Sequence, residues 1–396
     1  MRRLFPFILL MVSCVPLIVP KRLPRVPLVR VLILDGRDSV TLSSNSSFRV
    51  RMGGRIKKES SQNLWKIKIQ DTGLIILIND SLRVLEPSLP IYISTDSAGS
   101  ILVEGRAYRG DVKISRNQNG KIRVINILPL EDYLFGVVPC EIGTKDPEVF
   151  EAIKAQAVAA RSYALRKLEK CRDRDFDLYG SSRDQVYGGR SVETPLGTKA
   201  VLETRGEVGI FKGEIINAMY HSTCGGVTAD VSRVFNTKRI PYLRSINDVP
   251  PHWFWQHPRP FCSSSPKFSW NRRIPREKFF SLIMKLLQAK LSNPKDLRIE
   301  RIIKKKAKSK RPVEWKVISN YGSITISSVT LRKIFNLPSN YFDFKIGEDS
   351  VMIKGYGYGH GVGMCQWGAM EMARRGYNYK KILSHYYRGV KVYRIY

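Results

Sequence analysis

The chain has 396 residues, 43% of them hydrophobic and 10% aromatic, which is enough for a substantial core and two domains and excludes the disordered and collagen-like classes. Its formal net charge of +33 predicts attraction to polyanions such as nucleic acid, anionic lipid or an acidic wall polymer. The charge does not choose among these partners, and the basic composition of an exported proteome would explain it equally well.

Residues 1–20 have the pattern of an export signal. Arg2 and Arg3 precede the apolar run LFPFILLMVSCVPLIVP, which ends before Lys21. A short basic segment followed by such a run is typical of secretion signals, and its length and prolines argue against a stable spanning helix. We predict an exported protein, periplasmic or extracytoplasmic, that touches the membrane only through this segment. The alternatives are an uncleaved anchor, a lipoprotein box at Cys14 and a buried strand.

Residues 27–125 form a succession of predicted short strands, such as VRVLIL, LWKIKI and KIRVINIL. Turns rich in Gly, Asn, Asp and Ser separate them, and much of the segment alternates with period 2, as expected for sheets with one face in water. We find no catalytic constellation there. The prediction is an α+β protein with a β-rich accessory domain at 27–125 and a catalytic domain at 126–396.

A helix is predicted to begin at Asp146, with Pro147 at its first position and Glu148 near the positive end of its dipole. Six alanines between 152 and 164 let other backbone approach this helix closely. Glu141 is predicted to lie on the loop that leads into the helix, and loops on rigid supports commonly carry catalytic groups.

Three ordered stretches stand out from the rest of the chain. They are ILPLEDYLFGVVPCEIGTKDPEVFEAIKAQAVAARSYAL at 127–165, MYHSTCGGVTADVSRVF at 219–235 continued by PYLRSI at 241–246, and GYGYGHGVGMCQWGAMEMARRGYNYKKILSHYY at 355–387. Together they resemble the SpoIID/LytB family of cell-wall proteins, over roughly residues 125 to 390. This resemblance implies a SpoIID-like domain with an Ala-rich helix behind the active-site loop.

The resemblance also implies an activity, lytic transglycosylation. This reaction cuts the bond between N-acetylmuramic acid and N-acetylglucosamine in peptidoglycan glycan strands and leaves a 1,6-anhydro end. The glutamate before the Ala-rich helix, here Glu141, would be the acid/base, and the tyrosine after the Gly-Gly turn would fall on Tyr242. The matched motifs supply the candidates for glycan binding, which are Gln156, Arg161, Gln185, Tyr187, His221, Ser222, Gly225, Gly226, His360 and Gln366.

A single carboxylate is chemically sufficient for such a reaction. Ordinary glycosidases need two carboxylates. The 127–165 stretch offers no obvious partner, since Glu131 and Asp132 precede a predicted apolar strand and Glu148 and Glu151 lie on the helix. Attack by the muramic C6 hydroxyl removes that need, because this nucleophile is already tethered. An apolar setting would raise the pKa of Glu141 toward the working range of an acid/base.

Two motifs admit other chemistry. His221 and Cys224 invite a thiol-hydrolase interpretation, but the expected helix-borne cysteine is missing, and we favour a tight turn that brings backbone close to a sugar. The alternating glycines at 355–363 do not match a phosphate-binding loop. A carbohydrate groove with His360, Gln366 and Trp367 is the preferred interpretation, although Trp367 equally suits core packing.

No metal and no cofactor are predicted. Some relatives carry zinc-binding Cys and His residues just before a Gln-x-Tyr element, but here Gln185-Val-Tyr187 follows DLYGSSRD, which has neither. His252, His257 and Cys262 are a loosely spaced alternative.

Two competing functions remain. A non-catalytic glycan-binding protein could stimulate an N-acetylmuramoyl-L-alanine amidase. Nucleic-acid binding rests on charge alone, without a recognition motif, so no specific nucleic acid is expected. The basic run KKKAKSKR at 304–311 is predicted to be a solvated loop or face, and a wall- or nucleic-acid-binding arm is the minority interpretation.

Overall fold

The computed structural model describes residues 22–70, 73–85, 90–96, 98–171, 174–251, 258–292, 294–305, 311 and 314–396. The predicted export signal lies outside these residues. Strands and helices are both abundant and form several sheets, which confirms the α+β class. Within the described part of the chain, no helix combines the length and apolarity needed to cross a membrane.

The first strands lie within the predicted β-rich segment and extend slightly past its end. They are β1 (Leu28–Arg37), β2 (Ser39–Ser44), β3 (Phe48–Met52), β4 (Arg55–Glu59), β5 (Trp65–Gln70), β6 (Gly73–Ile78), β7 (Ser81–Leu85), β8 (Ile91–Thr95), β9 (Ile101–Val103), β10 (Arg106–Tyr108), β11 (Asp111–Arg116) and β12 (Ile122–Pro129). Later strands are β13 (Leu178–Tyr179), β14 (Glu207–Phe211), β15 (Glu214–Ile215), β16 (Tyr220–His221), β17 (Ser269–Pro275), β18 (Ile299–Lys304), β19 (Glu314–Ser319), β20 (Gly322–Ser327), β21 (Phe342–Ile346), β22 (Ser350–Tyr356), β23 (Met364–Cys365) and β24 (Lys391–Arg394).

The helices belong to the second part of the chain. They are α1 (Leu130–Glu141), α2 (Phe150–Lys170), α3 (Pro195–Glu203), α4 (Val231–Val234), α5 (Arg276–Lys290), α6 (Ser328–Ile334), α7 (Gln366–Arg374) and α8 (Tyr379–Tyr386). Short 3₁₀ turns cover Pro147–Val149, Arg190–Val192, Pro241–Leu243 and Phe261–Ser264.

Two larger sheets follow the orders β13-β1-β12-β11-β8-β3-β4 and β10-β9-β2-β5-β6-β7. Strand β1 pairs with β12 in antiparallel register, Val31 opposite Asn126, and with β13 in parallel, Val31 opposite Leu178. The edge strand β13 therefore joins the second part of the chain to the first sheet.

The helix start predicted at Asp146 is the start of the 3₁₀ turn Pro147–Val149, and α2 follows directly from Phe150. The Asp146 side chain caps the first turn by accepting a hydrogen bond from the Glu148 N–H at 2.9 Å, and Pro147 occupies the first helical position. Buried alanines such as Ala157 and Ala160 let α1, α3, α7 and α8 pack closely around this helix. The helix is therefore the central support of the second part of the chain.

One hydrophobic core extends from sheet residues such as Val31 and Ile67 to helix residues such as Val158 and Ile382. A separate, smaller core lies between residues 270 and 353, where Phe279 stacks on Phe335 and Trp315 stacks on Phe342. The domain boundary at 125/126 stays a prediction, since sheet and helices share one core across it.

Candidate active site

Glu141 is the last residue of helix α1 rather than a member of the predicted loop. Residues 130–138 of this helix are buried and apolar over most of their length, and Pro139 lies in its last turn. Ile142 ends the helix in an extended conformation, with its N–H still bonded to the Val138 carbonyl at 3.1 Å. The carboxylate is therefore fixed by a buried helix.

A close backbone approach supplies the first partner of Glu141. A Cβ at Gly136 would lie 2.6 Å from the Tyr187 ring and 2.7 Å from the Gly189 oxygen, so only glycine allows residues 186–189 to pass against α1. The Gly188 N–H donates to the Gly136 carbonyl at 3.0 Å. As a result, the Val186 N–H reaches Glu141 Oε1 at 2.7 Å.

The other partners of Glu141 are uncharged. The side chains of Gln366 and Tyr220 also hydrogen-bond its carboxylate. Burial raises the pKa of Glu141 above its ordinary value, and the hydrogen bonds from Val186, Gln366 and Tyr220 offset only part of that rise. This is the environment that a general acid needs near neutral pH.

A chain of hydrogen bonds orients the Tyr220 hydroxyl. Tyr133 donates to Gln185 Oε1 at 3.2 Å, and Gln185 Nε2 donates to the Tyr220 oxygen at 2.9 Å. Because that oxygen accepts the hydrogen bond from Gln185, the Tyr220 O–H is left to donate to Glu141. Gln366 is oriented in a similar way, since its Nε2 donates to Gln156 Oε1 at 3.3 Å. Gln156 and Gln185 therefore orient the side chains that contact Glu141. Neither residue lines the groove itself.

Glu141 opens into a groove of about 570 Å³. Its polar lining near the acid includes Ser222 and Gln366, and its apolar lining consists of Pro139, Ile142, Val149, Val192, Trp367 and Met370. A largely apolar groove with one aromatic side chain and a few polar groups is suited to a sugar, whose faces are apolar and whose edges carry hydroxyls.

A second carboxylate also lines the groove but is already engaged. Asp146 Oδ1 caps the helix turn, and Asp146 Oδ2 pairs with Arg374 at 2.9 Å. The Arg374 partner lowers the pKa of Asp146, so this group stays ionised and paired. Among the described groove residues, Glu141 is therefore the carboxylate suited to exchange a proton with a ligand.

Arg161 lies in the protein interior and not in the groove. Its side chain has no exposed area, and its Nε and Nη2 donate to the two oxygens of Glu131, each at 2.8 Å. A further bond reaches the Glu207 carbonyl at 3.1 Å. The predicted role in substrate binding is therefore replaced by a structural one, because no ligand can reach a guanidinium that is enclosed on all sides.

Two predicted tyrosines also have partners away from the groove. The Tyr187 ring packs between Tyr108 and Tyr133, and its hydroxyl donates to Asn126 Oδ1 at 2.8 Å. The Tyr242 hydroxyl accepts the Asn217 N–H at 3.0 Å, and its ring packs on Phe211. Neither is among the groove-lining residues, so direct contact between Tyr242 and the substrate remains only what the resemblance implies.

The residues of the two glycine-rich motifs separate into surface and interior positions. Ser222 lines the groove, whereas His221 is buried with its Nδ1 3.1 Å from the Val362 carbonyl. Burial lowers the pKa of His221 and lowers that of His360 to about 4, so both rings are neutral at neutral pH. The turn at Gly225 and Gly226 has φ of 72° and 92°, as predicted for a tight turn, but it packs against protein at Tyr356 and Pro260.

The position before Gln185 does not suit a metal. Asp184 Oδ1 accepts from the Tyr163 hydroxyl at 2.8 Å and pairs with Lys167 at 2.6 Å, and its Oδ2 accepts the Tyr179 N–H. This carboxylate is already saturated by protein donors.

The structure gives Cys262 different neighbours from those of the predicted alternative metal site, which combined it with His252 and His257. His252 and His257 lie outside the described residues. Cys262 instead meets Cys224, Asp248 and Cys365 in a buried cluster whose donor atoms all lie within 4.8 Å of one another.

Sequence reasoning missed Tyr220 and the Val186 N–H as partners of the acid. Tyr220 directly precedes His221 in a motif that the sequence singled out, and this neighbourhood is the signal that could have identified it. A backbone N–H has no residue-type signal, and only the structure reveals it. The basic run was also predicted to be solvated, but Arg311 at its end is buried against the Tyr341 ring; residues 306–310 lie outside the described part.

Comparisons with known proteins agree with the three motifs. A family model described as "Stage II sporulation protein" matches residues 118–211. Stage II sporulation protein D of Bacillus subtilis is 27% identical over 317 residues, covering 76% of this chain and 84% of the relative. An uncharacterised protein of Brachyspira hyodysenteriae is 29% identical over 345 residues, covering 83% and 86%.

The amidase enhancer of Bacillus subtilis is 31% identical over 289 residues, which is 65% of this chain but 39% of that longer relative. The family model lies over α1 and α2, and the relatives extend the match well beyond them. These matches therefore confirm the resemblance to the SpoIID/LytB family, the group of stage II sporulation protein D and the amidase enhancer.

Proposed function

We propose that this protein is a peptidoglycan lytic transglycosylase that acts at the cell wall, with Glu141 as its only acid/base. Similarity to the SpoIID/LytB family supports the cell-wall role. The reaction itself is supported by the setting of Glu141, a half-buried carboxylate with a raised pKa, uncharged partners and an adjoining groove.

The reaction needs one proton carrier and no water. Protonated Glu141 gives its proton to the glycosidic oxygen as the bond from that oxygen to C1 of N-acetylmuramic acid breaks, which releases N-acetylglucosamine with a free 4-hydroxyl. The muramic C6 hydroxyl then bonds to C1, and its proton returns to Glu141. The product is a 1,6-anhydro ring, and the enzyme regains its starting state.

The observation that carries the proposal is the contrast between the two groove carboxylates. A hydrolase with two carboxylates would need a second group able to attack C1 or activate water. Asp146 is held by Arg374 and by the helix cap through its two oxygens, so it is not available for that step. A tethered hydroxyl as the nucleophile fits a groove with one available acid.

The test is the digestion of glycan strands that have been stripped of stem peptides. We expect wild-type protein to release anhydro-ended sugars and Glu141→Gln to release them about 10²- to 10⁴-fold more slowly, because the acid/base is lost while the shape is kept. Mass spectrometry separates anhydro ends from the reducing ends that hydrolysis would give. Glu148→Gln, an exposed carboxylate outside the groove lining, is the matched control and should behave as wild type.

The alternative is a glycan-binding amidase enhancer without cutting activity, which the name of one relative favours. It predicts that wild type and Glu141→Gln release no sugar, bind glycan equally and stimulate an N-acetylmuramoyl-L-alanine amidase to the same extent. That result would refute the transglycosylase.

A further inference from the structure

Four buried side chains from four separate segments meet behind the groove. Cys224 follows β16, Cys365 ends β23, Cys262 lies in the 3₁₀ turn Phe261–Ser264, and Asp248 lies in the preceding loop. Each has no exposed area. The Cys224 sulfur is 3.4 Å from that of Cys262 and 3.0 Å from Asp248 Oδ2.

These distances are close to those of a tetrahedral zinc site. With zinc–sulfur bonds of about 2.3 Å, two thiolates on one ion lie about 3.8 Å apart. All four donor atoms here lie within 4.8 Å of one another. Three sulfurs and one carboxylate oxygen make up a full set of four ligands, which is typical of structural rather than catalytic zinc.

The carboxylate is oriented by its own partners. Asp248 Oδ1 accepts the Tyr386 hydroxyl proton at 2.8 Å and lies 3.4 Å from His385 Nε2. Asp248 Oδ2 is therefore the oxygen directed at the sulfurs. Partners of this kind, outside the ligands themselves, are a regular feature of metal sites because they fix the ligand's orientation.

Two of the three sulfurs accept hydrogen bonds from backbone donors. The N–H groups of Cys224 and Gly368 point at the Cys365 sulfur at 3.2 and 3.4 Å. Those of Gly225 and Gly226 bond to the Cys262 sulfur. Such donors stabilise thiolates, the form that binds metal, and they give the Gly-Gly turn a use that does not involve substrate.

We propose that Cys224, Asp248, Cys262 and Cys365 bind a structural zinc ion. A Cys224–Cys262 disulfide would compete for the same sulfurs, but it would use only two of the four groups and leave the Cys365 sulfur and Asp248 Oδ2 outside the linkage. Zinc engages all four groups, and on binding it displaces the protons of the three thiols.

The ion would hold together the segments that line the groove. Ser222 is two residues before Cys224, and Gln366 directly follows Cys365. The Trp367 N–H also donates to the Ser222 carbonyl at 3.1 Å, which joins the same two segments. The site is independent of the proposed reaction, since the cluster can hold zinc whether or not Glu141 cuts glycan.

Metal analysis of full-length protein, purified with a reductant and without chelator, tests the proposal. We expect a single zinc ion per chain in wild type and in Cys171→Ser, a buried cysteine outside the cluster, and severalfold less in Cys262→Ser and Asp248→Asn. We also expect chelation to lower the melting temperature of wild type, and zinc to restore it.

Because a ligand variant can fail to fold, the second measurement uses wild type alone. Protein stripped of metal under reducing conditions is titrated with Co²⁺, and thiolate-to-cobalt charge transfer with tetrahedral d–d bands is expected. The proposal is overturned if folded, reduced protein takes up neither zinc nor cobalt. Iron with acid-labile sulfide, or a Cys224–Cys262 disulfide in freshly isolated protein, would overturn it as well.

Discussion

Helix α1 carries a glutamate near each end, and the two have opposite electrostatic settings. Burial acts to raise the pKa of both. At Glu131 the bidentate Arg161 outweighs burial, and the Tyr396 hydroxyl at 2.5 Å adds to it, so the pKa of Glu131 falls below its ordinary value. At Glu141 the partners are uncharged, burial prevails and the pKa rises.

The difference shows what separates a structural carboxylate from the proposed acid in this protein. Residue type and helix are the same at the two positions and burial acts in the same direction at both, so the presence of a cation is what differs. Glu131 with Arg161 stabilises the junction of α1 and α2. Glu141 keeps access to a proton because no lysine or arginine pairs with it among the described contacts.

The largest expected effect comes from removing the cation that pairs with Glu131 at the start of α1. Arg161→Ala leaves Glu131 ionised and buried without its partner, so we expect the free energy of unfolding to fall by about 3–5 kcal/mol. Urea denaturation measures it. Arg166→Ala, which removes ion pairs with partly or fully exposed glutamates, should cost about 0–1 kcal/mol.

The double variant Glu131→Leu/Arg161→Met is the second control. It removes both charges, so it should recover most of the lost stability. A loss below about 1 kcal/mol for Arg161→Ala alone would contradict the assigned role of the pair.

An intermediate effect is expected from placing a positively charged side chain beside Glu141. Gln366→Lys should lower the pKa of Glu141, so that less of it is protonated and sugar release at neutral pH falls about tenfold or more. A group that must be protonated loses activity as pH rises through its pKa, so the alkaline limb of the pH–rate profile should move to lower pH. Gln366→Met has similar size without charge and should not produce that shift.

The smallest effect is expected from removing one hydrogen bond to the acid. Tyr220→Phe deletes a bond that favours the ionised form, so the pKa of Glu141 should rise further and the alkaline limb should move to higher pH. The rate should change by about 1 kcal/mol, or about fivefold. Tyr163→Phe, whose hydroxyl bonds to Asp184, should leave the limb in place, and an equal shift there would contradict the assigned contact.

The sequence predicted the α+β class and the capped turn that leads into α2, because caps and alanine spacing are local signals, and the matched motifs singled out Glu141 as a candidate. Helix α1 was missed, and its first residues were expected to precede a strand. A helix buried on nearly all sides has a continuous apolar sequence, which periodicity cannot distinguish from a buried strand.

The groove was only partly predictable. The motifs brought Ser222 and Gln366 into the candidate set, but they brought interior residues such as Arg161 with equal weight. A shared motif does not tell a side chain that contacts substrate from one that supports the fold. The cysteine cluster was invisible for a different reason, since its members come from distant segments without metal-site spacing.

Gly136 has a consequence for comparing members of this family. Any side chain at this position would push residues 186–189 away from α1. The hydrogen bond from the Val186 N–H to Glu141 therefore depends on residue 136 having no Cβ. A relative with a bulkier residue at the equivalent place would keep its glutamate but lose the donor that orients it. If Glu141 acts as proposed, we expect glycine at that position in relatives that cleave glycan, whereas relatives that only bind it have no such requirement.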